Sequence, residues 1–138
     1  MLKVVIRLLV CGVFFFGGIA HFLLTDDFAG IVPPFLPWPV VIVWVTGILE
    51  LALVLGILIP SSRLLTGKLA AIYCVLVLPA NIYQALNDVP IFGSPVAPEL
   101  LWLRIPLQFV LIVAILWSTG NIGRTLIQKS TGSVDGLN

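Results

Sequence analysis

Apolar residues in this chain fall into four long runs, set apart by short stretches rich in proline, aspartate or basic side chains. The runs extend from about Val4 to Leu24, Val40 to Ile59, Leu69 to Leu86 and Leu100 to Ser118. A hydrocarbon core of about 30 Å takes roughly 20 helical residues at about 1.5 Å each, so every run predicts one membrane-crossing helix. None shows the two-residue alternation of a barrel strand, and an unpaired strand would leave its backbone polar groups unsatisfied in lipid. The expected fold is all-α: an integral membrane four-helix bundle over residues 1–118, followed by a flexible tail over 119–138.

The segments between the runs carry their own signals. Residues 28–39 hold Pro33, Pro34, Pro37 and Pro39 among large apolar side chains, which predicts stiff, non-helical chain lying on the membrane surface or capping the bundle. Pro90, Pro95 and Pro98 stiffen the connection before the fourth run. The tail is rich in Ser, Thr, Gly and Asn and lacks aromatics. Lys3 and Arg7 ahead of the first run resemble a signal peptide, with Gly18-Ile19-Ala20 as a weak cleavage site. The run is long and a second follows soon after, so an uncleaved first helix is the better reading. A lipoprotein reading fails on the bulk of Val10 before Cys11.

Charge orients the bundle. Six of the seven Lys and Arg residues are Lys3, Arg7, Arg63, Lys68, Arg124 and Lys129, at the amino terminus, in the middle connection or in the tail. The other two connections hold Asp26, Asp27 and Asp88 and no basic residue. The positive-inside rule then places both termini in the cytoplasm and the proline-rich loops outside, as expected of a multi-pass inner-membrane protein. Trp38 and Trp102 fall at the outer interface, and Trp117 falls near the inner one.

Composition agrees: 60% of residues are hydrophobic and 9% charged, with a formal net charge of +1. No basic surface points to nucleic acid. Cys11 and Cys74 are far apart and form no CxxC, so they read as small hydrophobes in the inner half. No nucleotide loop, metal-spaced cluster or nucleophile–base motif is present, and no heme or flavin site is visible.

Candidate chemistry lies in the polar residues inside the runs. A charge at mid-membrane costs about 2.5–3.5 kcal/mol on insertion scales, so such residues should face inward. His21 lies near the outer end of the first helix, and Glu50 about 15 Å along the second. Asn81 and Gln84 occupy the outer part of the third, and Arg104 and Gln108 share a face of the fourth. The inner half is almost wholly apolar. Arg104 is the one basic residue on the outer side, and Glu50 is its expected partner. A buried pair that only fixes helix register accounts for them equally well. His21, Asn81 and Gln108 have bland readings too, as hydrogen-bonding links to a loop or between helices. Gly17 and Gly18 precede His21, and Thr46 and Gly47 precede Glu50, by four and three residues, which brings small groups onto the polar faces. Pro79 and Pro106 loosen the helices beside Asn81 and Gln108. The two hairpins share this ordering, a weak sign of duplication.

Five segments in order carry a family resemblance: Gly17-Gly18-Ile19-Ala20-His21-Phe22, Ile31-Val32-Pro33-Pro34-Phe35-Leu36-Pro37, Gly47-Ile48-Leu49-Glu50-Leu51, Pro79-Ala80-Asn81-Ile82-Tyr83-Gln84-Ala85-Leu86 and Leu103-Arg104-Ile105-Pro106-Leu107-Gln108. Along nearly its full length the chain resembles the DoxX family of small four-helix bacterial membrane proteins. It departs where a proline often follows the His-Phe pair and this chain reads Thr25-Asp26-Asp27. The resemblance implies a membrane subunit of a redox system, linked to quinones or to oxidative stress, with no independent catalytic activity and no cofactor of its own. On that expectation Arg104, Gln108, His21 and Asn81 hydrogen-bond a quinone, Glu50 or His21 relays a proton, and a partner protein supplies electrons. Distant relatives act as cargo receptors or assembly chaperones, so a non-enzymatic partner-binding protein is the alternative. A small-solute or proton pathway is third; four helices are narrow, so it would call for a homo-oligomer.

Overall fold

The four apolar runs become four long helices in the computed structural model, which describes residues 1–123. These are α1 (Leu2–Leu23), α3 (Pro39–Leu58), α4 (Arg63–Asn87) and α5 (Pro98–Ser118), with a short α2 (Thr25–Gly30) after α1. All four long helices are long and apolar enough to cross a membrane, the make-up of a multi-pass membrane protein. Prolines mark the starts of α3 and α5: Pro39 and Pro98 sit in the first turn, where a missing N–H costs nothing. Pro79 and Pro106 lie inside α4 and α5, which continue past them.

Three boundaries differ from the sequence reading. The third helix begins at Arg63, so Arg63 and Lys68 belong to the first two turns of α4 and not to a connection. Chain leaving the hydrocarbon core can stay helical on polar residues, so a helix outlasts its apolar run. Residues 28–30 are helical as the end of α2; proline forbids helix only near itself, and the first proline of that loop is Pro33. Finally, the segment from 119 onward does not begin as a free tail. Thr119 is buried and donates to the Ile115 carbonyl, and Asn121 donates to the Leu64 carbonyl. Gly67 makes room for this turn: a Cβ there would lie 2.7 Å from the Thr119 Cβ and 2.8 Å from Asn121 Nδ2. The rest of the expected tail, with Arg124 and Lys129, lies outside the described residues.

The helices form a ring in the order α1, α3, α4, α5, closed by α5 against α1. Among the described residues the backbones of α3 and α5 do not approach closely, and neither do those of α1 and α4, which meet only through side chains such as the Phe14 and Tyr73 rings, 6.1 Å apart between centroids. The closest pairs are α1 with α3 and α4 with α5. Gly18 and Gly47 explain the first: a Cβ on Gly18 would lie 3.0 Å from the Gly47 carbonyl oxygen, and one on Gly47 would lie 3.1 Å from that of Gly18. Without a hydrophobic drive between helices in lipid, such close backbone packing is what holds two spans together. Toward the end that carries the amino terminus, the two pairs close on a core that includes Val10, Phe14, Val54, Ile57, Ala70 and Ile115. Toward the other end, which carries α2 and the proline loops, the pairs leave a space between them and are bridged where the Phe92 N–H donates to Asp27 Oδ1 at 3.0 Å.

A polar cavity between the two helix pairs

The space left where the pairs separate is a cavity of about 1000 Å³. Most of its wall is apolar, and lining residues such as Leu76 and Val110 remain 71% and 63% exposed, so it is open rather than sealed. His21, Glu50, Asn81, Arg104 and Gln108 all line it, with Thr46 and Tyr73. Gln84 does not; it is fully buried behind the wall.

Glu50 and Arg104 share this cavity but do not pair. They stand on α3 and α5, which lie diagonally across the ring, and each finds partners on neighbouring helices instead. Tyr73 of α4 donates its hydroxyl to Glu50 Oε1 at 2.6 Å. His21 of α1 brings Nδ1 to 3.8 Å from Glu50 Oε2, within ion-pair reach but beyond a hydrogen bond. That Nδ1 lies 2.8 Å from the Gly17 carbonyl. A carbonyl only accepts, so Nδ1 carries the hydrogen and Nε2 is left as the uncommitted ring nitrogen. The imidazole stacks on Phe28 of α2 at 4.4 Å between centroids, so the short helix clamps the ring. Gly17 also makes room for the carboxylate, since a Cβ there would lie 2.5 Å from Glu50 Oε2.

The second polar set joins α4 to α5. Arg104 Nη1 donates to Gln84 Oε1 at 2.6 Å, and Gln84 Nε2 donates to the Val89 carbonyl at 3.3 Å. Gln84 is therefore the anchor that aims Arg104. A guanidinium has five N–H donors, and Gln84 engages one, so the others are left for the cavity. Asn81 donates to Gln108 Oε1, and Gln108 donates to the Cys74 carbonyl. Pro79, which lacks an N–H, lies inside this stretch of α4 and leaves the Val75 carbonyl, next to that of Cys74, without its helical donor.

The sequence reading missed Tyr73. Its signal was position: it lies ten residues into α4, about 15 Å from the helix start, well away from the interface where tyrosines usually sit. A hydroxyl at that depth needs an acceptor, and Glu50 is one. Among the described residues no group of three His, Cys, Asp or Glu side chains is arranged to hold a metal ion.

A family model described as a domain of unknown function (DUF8561) matches residues 10–119, which includes every residue of the cavity's polar sets. The chain belongs to this family. No curated protein and no solved structure matches it. For this DUF8561 member the side chains themselves are the guide to chemistry. Together they offer unspent donors from Arg104, an uncommitted imidazole nitrogen, and a carboxylate held by a phenol, all inside an apolar enclosure.

Proposed function

We propose that the protein binds a lipid-soluble ligand with a polar head, of the quinone class, as a membrane subunit of a redox system in the inner membrane. The observation that carries this reading is the match of wall to contents: a largely apolar cavity of about 1000 Å³ whose lining brings His21, Glu50, Asn81, Arg104 and Gln108 together. An apolar ligand tail suits the open, hydrophobic wall, and a carbonyl-bearing head suits the free Arg104 donors and His21 Nε2. Glu50 and Tyr73 form the proton-handling pair of the proposal, and the electrons come from a partner protein. The resemblance to DoxX proteins supports the same reading.

The test is binding of decyl-ubiquinone to purified protein in nanodiscs. A hydrogen bond to a charged group contributes about 1.5–3 kcal/mol, so Arg104→Leu should weaken binding by at least tenfold. Glu50→Gln should leave binding closer to wild type and abolish any quinone-dependent proton uptake measured with a reconstituted donor. Arg104→Leu protein that keeps wild-type membrane levels and wild-type binding would sink the proposal. Partner binding is the second reading, favoured by Phe35, Trp38 and Phe92, which stand 77%, 75% and 70% exposed at the loop end. Decyl-ubiquinone binding separates the two, because a protein that only holds a partner shows none, while on the second reading replacing residues 31–39 loses a partner that copurifies from membranes.

A further inference from the structure

A second pocket, of about 420 Å³, lies at the opposite end of the bundle, where α1 begins and α3 and α5 finish. Lys3, Arg7 and Arg63 line it together with Ser61, Thr119 and Gly120, and its lining holds no carboxylate among the described residues. Both arginines are fixed in place. Arg7 donates from Nε and Nη2 to the Ser118 carbonyl at 3.2 and 2.7 Å. Arg63 donates from Nε to the Ile57 carbonyl at 2.9 Å and from Nη2 to the Leu58 carbonyl at 3.0 Å. These bonds satisfy carbonyls that the ends of α5 and α3 leave without partners. Capping alone explains that much. It does not explain why a third cation, Lys3, held 5.4 Å over the Trp117 ring, converges on the same space. Nor does it explain the uncommitted Nη1 group that each guanidinium retains. Three cations around one polar recess repel one another unless an anion joins them.

We propose that this recess binds an anionic phosphate group at the membrane surface. The chemistry is shared by the headgroup of an acidic phospholipid and by free phosphate: planar guanidinium donors preset by backbone carbonyls, an ammonium beside them, and the exposed Ser61 hydroxyl. The site is separate from the cavity of the proposed function, and neither reading depends on the other.

The experiment uses the full chain in nanodiscs of phosphatidylcholine, with or without phosphatidylglycerol, and reads lipid retention by native mass spectrometry and stability by thermal unfolding. Wild type should retain phosphatidylglycerol over phosphatidylcholine, and Lys3→Gln and Arg63→Gln should each lower that preference about fivefold. Lys68→Gln removes the same charge from an exposed position of α4 that does not line the recess, and should change nothing. If free phosphate is the source, inorganic phosphate added to phosphatidylcholine discs should raise the unfolding temperature of wild type and not of Lys3→Gln. Lys3 makes no hydrogen bond among the described residues, so this variant carries the comparison even if Arg63→Gln fails to fold. The proposal is overturned if neither phosphatidylglycerol nor phosphate distinguishes wild type from Lys3→Gln, or if Lys68→Gln loses as much as Lys3→Gln.

Discussion

Replacing Gly17 and Gly47 by alanine should have opposite consequences, although both glycines lie where α1 meets α3. At Gly47 the new Cβ would lie 2.8 Å from the His21 Cβ, 3.0 Å from the Phe22 ring and 3.1 Å from the Gly18 carbonyl oxygen. The Gly18 oxygen is backbone and the His21 Cβ is bonded to it, so turning the Phe22 ring is not enough and the helices themselves must separate. Overpacking of this kind costs about 1–3 kcal/mol, against a gain of about 1 kcal/mol from replacing glycine within a helix. The net expectation is a loss of about 1 kcal/mol. At Gly17 the atom met is Glu50 Oε2 at 2.5 Å, the far end of a flexible side chain, with the rest of the carboxyl 3.5 Å or more away. Rotation of the carboxylate relieves that contact, so stability should hold or rise by up to about 1 kcal/mol, while the Tyr73 bond and any ligand contact made by Glu50 suffer. Cys11 and Cys74 are buried free thiols and report unfolding directly, so their labelling rate across a detergent denaturation series measures both free energies. Equal losses in the two variants, or a larger loss for Gly17→Ala, would refute the reasoning.

Other expectations follow from single bonds. Tyr73→Phe removes the donor to Glu50 Oε1 and should cost about 0.6–1.7 kcal/mol, the range for hydrogen bonds between membrane helices, in the same thiol-labelling assay; no loss would mean the bond contributes nothing. Gln84→Leu takes away the acceptor that aims Arg104, and should weaken decyl-ubiquinone binding about tenfold although Gln84 does not touch the cavity. Wild-type binding in that variant would show Arg104 to be positioned by something else. Gly67→Ala displaces Thr119 and Asn121, and should open the chain beyond residue 118 to limited proteolysis in folded protein; an unchanged cleavage rate would contradict the packed turn.

Length and apolarity made the four spans legible, because the bilayer leaves few alternatives to a helix of about 20 residues. The same rule could not find α2, six residues long and too short to show a period. It also could not find the true start of α4, whose first turns carry Arg63 and Lys68. Within the candidate site, which residues matter was legible from the cost of burying them in lipid, and five of the six candidates line one cavity. Their pairing was not. Charge complementarity alone joined Glu50 to Arg104, but a sequence does not state the order of helices around a ring, and that order sets α3 diagonally opposite α5. Tyr73 was hidden for a related reason: its meaning depended on depth and on which helix stands beside it.

The Tyr73–Glu50 contact has a mechanical side. Among the described residues it is the one side-chain hydrogen bond within the cavity that ties the α1–α3 couple to the α4–α5 couple; the His21 contact and the Arg104, Asn81 and Gln108 bonds each stay inside a couple. It therefore braces the two couples against each other inside the cavity. A guest molecule or an added proton that drew the carboxylate away from the phenol would remove this tie and leave the Phe92 N–H bond to Asp27 Oδ1 as the side-chain link between the two halves at the loop end.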